Sequence, residues 1–221
     1  MIRDEPRWQA SLATLAIVAL YVTLPPRITL GPLWLFPVLI LVLLLPLSVF
    51  SPRRRNESTI ARIGSIALIA ISTFFNVVSV ALFVATLTGP NRGHAPEGVQ
   101  ILAAGVQMWL TNVLVFGLWY WEIDAGGPEE RATAESAAKF ARADFEFPQM
   151  VPEQMSMPYS DPAWKPVFFD YLFLAFNTAT AFSPTDTYPL TGAAKALMMA
   201  QSIVSLVTIA VIIGRSVNIL S

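Results

Sequence analysis

Thr178-Ala179-Thr180-Ala181-Phe182-Ser183-Pro184-Thr185-Asp186-Thr187-Tyr188-Pro189-Leu190-Thr191 joins two apolar segments, about 167–183 and 193–217, and the path of the chain through it decides the fold. Crossing a ~30 Å hydrocarbon layer takes about 20 residues at ~1.5 Å each. The second segment meets that length comfortably. The first is marginal and carries Asp170 near its start. The chain therefore either crosses the membrane by residue 183 and crosses back after 191, or dips in and returns to the face it left. Either path needs a sharp change of direction. Pro184 fixes its φ at about −65° and pushes Ser183 toward extended backbone. Ser183-Pro184-Thr185-Asp186 is a turn sequence, and Thr191 is a suitable N-cap for the helix that follows.

Working outward, four more apolar segments precede these two, at about 8–24, 29–50, 60–88 and 99–121. Hydrophobic residues make up 55% of the 221 and charged residues only 13%, roughly half the charged share of a soluble domain. Mean hydropathy is +0.58. Backbone groups cannot stay unpaired in hydrocarbon, so apolar segments of this kind must be helices. The expected fold is all-α: a polytopic membrane helix bundle with six apolar segments, the fifth either a short span or a re-entrant helix. Pro25-Pro26 makes the first two segments a tight hairpin. Trp119-Tyr120-Trp121 closes the fourth as an interfacial aromatic cluster. The first segment follows Arg3 and Arg7 but no A-x-A site closes it, so it reads as a retained span.

Three regions result: 1–122 with four transmembrane helices, 123–166 as an aqueous loop, and 167–221 with the loop segment and the last helix. Within the aqueous loop, Glu129 to Arg142 is helix-forming and Pro148 to Pro158 is irregular. Ten of the fourteen Lys and Arg residues, from Arg3 and Arg7 through Arg53, Arg54, Arg55 and Arg62 to Arg131, Lys139, Arg142 and Lys165, fall on one side. Arg27 and Arg92 fall opposite. The positive-inside rule then places the amino terminus and the loop 123–166 in the cytoplasm. Lys195 and Arg215 merely exchange sides between the spanning and re-entrant alternatives, so charge does not separate them.

The register of the opening stretch resembles the pore segment of the potassium-channel family, T-x-T-T-V-G-Y-G-D-x-x-P-x-T followed by an inner helix. Thr178, Thr180, Asp186, Pro189 and Thr191 match, and Lys195 stands where that family often has Arg. The Gly-Tyr-Gly core is replaced by Ser183-Pro184-Thr185. The resemblance covers roughly a fifth of the chain and implies a pore helix, a filter and an inner helix. It further implies a homo-oligomer, with a tetramer favoured, and monovalent cations as the permeant partner. With Asp186 placed outside and the last helix running inward, as the resemblance implies, six full spans are preferred over a re-entrant loop. The whole chain also resembles a family of small bacterial integral membrane proteins of unknown function. That likeness lies in the arginine-rich loop Arg53-Arg54-Arg55, the cluster Trp119-Tyr120-Trp121, the run Asp144-Phe145-Glu146-Phe147-Pro148 and the segment from Trp164 to Asp186. It implies a bacterial cytoplasmic membrane and no particular activity.

A potassium filter replaces the ion's hydration shell with carbonyl oxygens, and stacking them needs backbone conformations that glycine reaches without strain. Pro184 cannot supply them. An ion path here would be lined by the hydroxyls of Thr178, Thr180, Ser183 and Thr185 and by the carboxylate of Asp186. Gln201, Ser205 and Thr208, spaced four and three apart, share one stripe of the last helix. That stripe is either pore-lining or interhelical glue. Asn76, Gln107 and Asn112 read as interhelical hydrogen-bonders, and Asp170 as a helix cap or a partner of Lys165. His94 reads as a solvated loop residue.

No catalytic or phosphate-binding motif is present, and no metal site, cofactor or enzymatic activity is expected. The absence of cysteine excludes disulfides and thiolate chemistry. A net charge of −1 and a pI near 5.8 give no footprint for nucleic acid. The leading expectation is a weakly selective cation channel derived from a potassium-channel pore, with the lipid bilayer as surroundings. The alternative is a non-conducting membrane scaffold or accessory subunit. A small-solute transporter comes third, weakened by the lack of an internal repeat.

Overall fold

The computed structural model describes residues 8–50, 59–88, 98–133, 143–150, 164–180 and 186–220. Seven α-helices follow one another: α1 Trp8–Val22, α2 Leu35–Phe50, α3 Thr59–Thr88, α4 Gly98–Ile123, α5 Pro128–Thr133, α6 Phe168–Thr180 and α7 Gly192–Leu220. The described residues also hold a two-stranded antiparallel pair, β1 Phe145–Glu146 and β2 Tyr188–Pro189. The chain is all-α apart from one short strand pair, and six helices of spanning length are not found among the described residues. Among the described residues three helices are long and apolar enough to cross a bilayer: α3, α4 and α7. The helices α1 and α2 have 15 and 16 residues. Of the fifth apolar segment, the described residues form 13 residues of helix in α6.

Six hydroxyls within the apolar helices are satisfied by a carbonyl one turn back, so they do not break the helix that carries them. Thr14, Ser72, Thr73, Thr86, Thr111 and Thr208 all donate to the carbonyl of residue i−4, at 2.8–2.9 Å. In hydrocarbon this costs less than leaving the group unpaired.

The bundle is built around α4. In its most apolar window 61% of residues are buried, against 17% for α7, so α4 is the core helix and α7 the peripheral one. Antiparallel packing is explicit in the contacts between them. Gly105 faces Ile212, Trp109 Nε1 donates to Ser205 Oγ at 3.0 Å, and Asn112 Nδ2 donates to the Gln201 carbonyl at 3.2 Å. The helix α3 is antiparallel to α4 as well, with Trp119 Nε1 donating to Thr73 Oγ1 at 2.8 Å and Phe83 beside Gly105. The α1–α2 hairpin turns through a 3₁₀ turn at Pro26–Ile28, and the Leu30 amide donates to Tyr21 Oη at 3.2 Å. The rings of Tyr21, Phe36 and Phe75 pack there in tilted and edge-on contacts with centroids 4.5–5.6 Å apart.

This arrangement gives the molecule two ends. At one end lie the carboxyl end of α4 with Asp124, the strand pair, and the starts of α6 and α7. At the other, Pro25 and Ile28 meet the start of α4 at Gln100 and Ile101 around an apolar cavity of ≈10 Å³. That volume is at the lower limit for one water molecule.

Candidate functional site

The first turn of α6 is fixed from both sides. Asp170 caps it: the Val167 amide donates to Asp170 Oδ2 at 2.7 Å, and the Asp170 amide donates back to the Val167 carbonyl at 2.9 Å. The acid inside the fifth segment is thus a helix cap, one of the two roles expected. Tyr171, one residue on, is fully buried and donates from its hydroxyl to Asp124 Oδ2 at 2.5 Å.

From that anchored start α6 runs inward, parallel to α7. Ala175 and Gln201 lie level, because Gln201 Nε2 donates to the Ala175 carbonyl at 2.7 Å. One turn deeper, Ser205 Oγ donates to the Ala179 carbonyl at 2.5 Å. Higher numbers on one helix pair with higher numbers on the other. Ser205 is 13 positions past Gly192, so α6 ends roughly 20 Å below the start of α7. By Tyr188 the chain is back at the starting end, paired with Glu146. Two consecutive crossings would be antiparallel, whereas the described part of this segment, 168–180, runs parallel to α7.

A helix that stops inside a bundle leaves its last carbonyls without intrahelical donors. Here side chains supply donors: Ser205 to Ala179 as above, and Thr180 Oγ1 to the Asn177 carbonyl at 2.9 Å. Thr178 is buried and its hydroxyl bonds the Leu174 carbonyl at 2.9 Å. Asp186 is exposed. Ser183, Pro184 and Thr185 lie outside the described residues, as does His94. At the start of α7, Thr191 Oγ1 accepts the Ala194 amide at 3.2 Å, the bond an N-cap makes.

The polar stripe of α7 faces its own bundle. Gln201, Ser205 and Thr208 are 0%, 1% and 0% exposed. Gln201 Oε1 also accepts from Tyr120 Oη at 2.5 Å. The outward face of α7 carries Met199, Ile203, Leu206 and Ile213, all exposed and apolar. Trp119-Tyr120-Trp121 likewise packs inward: Tyr120 is fully buried and Trp121 nearly so. The expected interfacial belt is instead part of the core, because α4 is central and its aromatic end meets α6 and β1.

Sequence reasoning missed a buried polar knot at the end of α4. Asp124 is fully buried, and its Oδ1 accepts the amides of Asp144 at 2.7 Å and Phe145 at 3.2 Å. A turn with positive φ at Ala125, Gly126 and Gly127 reverses the chain into α5. This brings Arg131 back over α4, where its guanidinium donates to the Trp121 and Asp124 carbonyls at 2.8 and 2.7 Å. The same guanidinium carbon sits 5.0 Å from the centre of the Tyr171 ring, a cation–π contact. One signal for this knot was in the sequence: Asp124-Ala125-Gly126-Gly127-Pro128 is a turn motif placed directly after an apolar helix. Among the described residues no group of three His, Cys, Asp or Glu side chains is arranged to hold a metal ion. No protein-family model matches the chain, and no curated protein or solved structure matches it either.

Proposed function

We propose that the chain is a pore-loop membrane protein: α6 dips in as a re-entrant helix, the chain returns to the same face, and α7 crosses. Several copies around an axis would then form a weakly selective cation pathway. The observation that carries this reading is the parallel course of α6 and α7 from a shared face, with α4 antiparallel to both. A short dipping helix followed by a crossing helix is what the resemblance of residues 169–217 to the potassium-channel pore implies. The carboxyl end of α6, which carries partial negative charge, lies deep in the bundle, and exposed Asp186 lies beyond it along the return.

Orientation belongs to the same proposal. Arg62, Arg131, Lys165 and Lys195 belong to the Asp124 end, and Arg27 to the other. The segments adjoining the Asp124 end carry Arg3, Arg7, Arg53, Arg54, Arg55, Lys139 and Arg142. This bias puts the Asp124 end in the cytoplasm, so the loop enters from inside, inverted relative to the channel family. A bacterial cytoplasmic membrane is the setting that the second resemblance implies.

A second reading, a non-conducting scaffold or accessory subunit, is favoured by one observation: the polar stripe of α7 is consumed by bonds within the chain. Purified protein in liposomes separates the two. The pore-loop reading expects cation flux that discriminates poorly between potassium and sodium, and Asp186→Asn should lower it at least roughly twofold by removing a carboxylate at the mouth. Crosslinking in membranes should give a closed oligomer, since one copy cannot enclose an axis. Absence of flux under either gradient, or a strictly monomeric protein in membranes, would give the scaffold reading instead.

A further inference from the structure

We propose that the strand Phe145–Glu146, with Asp144 before it, is a latch that sets residues 186–191, the described part of the loop that returns from α6 to α7. This inference rests on the pore-loop reading above and supplies its regulation. The strand is joined to both flanks of that loop at once. On the α6 side, the Asp144 and Phe145 amides share the Asp124 carboxylate with the Tyr171 hydroxyl. The ring of Phe147 stands perpendicular to that of Tyr171, with centroids 5.4 Å apart. On the α7 side, Phe145 pairs with Pro189 and Glu146 with Tyr188. The Asp144 carbonyl accepts the Leu190 amide at 2.8 Å, and Asp144 Oδ1 accepts the Thr191 hydroxyl at 2.5 Å.

A pair of two-residue strands, one containing proline, is marginal by its own hydrogen bonds. Its position is set instead by the carboxylates of Asp124 and Asp144 together with the buried rings of Phe145 and Phe147. Lifting the strand strips Asp124 of two amide donors in a buried site, so partial release is costly and release is all-or-none. The deeper bonds of Gln201 to Ala175 and Ser205 to Ala179 do not involve the strand. Undocking the latch therefore releases the pairing of Tyr188, Pro189 and Leu190 while α6 stays on α7. That separation is what a control element needs.

The test uses the full chain in lipid nanodiscs and reads hydrogen exchange at residues 186–191. Tyr171→Phe removes the hydroxyl that bonds Asp124 and keeps the ring. It should speed exchange at 186–191 about tenfold, because the α6-side contact steadies the α7-side one through the strand. The pair Glu146→Cys and Tyr188→Cys sits at directly opposed positions, within disulfide reach, in a chain with no other cysteine. Oxidising this pair should return the Tyr171→Phe protein to the parent exchange rate, and reducing it should restore the fast rate. Unchanged exchange at 186–191 in Tyr171→Phe, or fast exchange that persists with the disulfide closed, would overturn the latch. Exchange reads the latch without any ion flux, so its failure is distinct from failure of the channel reading. If flux is present, closing the disulfide should change it at least twofold.

Discussion

Gln201 shows how much a single buried side chain does in this bundle. It accepts from Tyr120, donates to the Ala175 carbonyl and lends its own carbonyl to Asn112. Gln201→Leu removes the first two bonds and leaves the Tyr120 hydroxyl buried without its acceptor. The expected loss is about 1–3 kcal/mol, read as a lower thermal unfolding midpoint in detergent. Because the side chain is fully buried, ion selectivity per folded protein should not move; a changed selectivity would assign the stripe to the ion path. Gly127 is a second sensitive residue. Its φ of 102 and ψ of 173 belong to a region that side chains rarely enter, and the turn it makes delivers Arg131 to the end of α4. Gly127→Ala should destabilise by roughly 1–3 kcal/mol, whereas Ala125→Gly, at a left-handed position of φ 50, should be neutral or mildly stabilising. Unfolding midpoints of the two variants would check the opposite signs.

Among the elements, α4 and α7 approach closely enough that side-chain size at Gly105 decides their spacing. A Cβ there would come within 2.5 Å of Ile212 Cγ1. Gly105→Leu should wedge the pair apart and cost about 1–3 kcal/mol, measurable as an earlier unfolding transition. Ile212→Ala in the same chain should recover part of it. Helix existence was legible in the sequence, since long apolar runs with few charges have no other solution in a bilayer. The cap at Thr191 was legible too, because an N-cap needs only local spacing. Helix direction was not. Segment 167–183 has the apolar length of a marginal span, and only the pairing of Ala175 with Gln201 and Ala179 with Ser205 shows that it runs alongside α7. The inward packing of Trp119-Tyr120-Trp121 was hidden for the same reason: periodicity says that a helix is apolar all round, not which neighbour covers it. Asp124 was passed over because it sits just beyond an apolar run, where solvent is the ordinary expectation. Its burial depends on Asp144 and Tyr171, 20 and 47 residues away.

At the scale of the molecule, a re-entrant α6 requires that the chain enter and leave the bundle by one face between Lys165 and Asp186. Both residues are exposed, as is Arg27 at the opposite end, and the chain has no native cysteine to confuse labelling. Single substitutions Lys165→Cys, Asp186→Cys and Arg27→Cys, treated with a membrane-impermeant thiol reagent in cells and in inside-out vesicles, read the side of each position directly. The re-entrant geometry predicts that Lys165→Cys and Asp186→Cys react from the same side, the cytoplasmic one, and that Arg27→Cys reacts only from the other. Reaction of Asp186→Cys and Lys165→Cys from opposite sides would show that α6 crosses the membrane and would contradict the account.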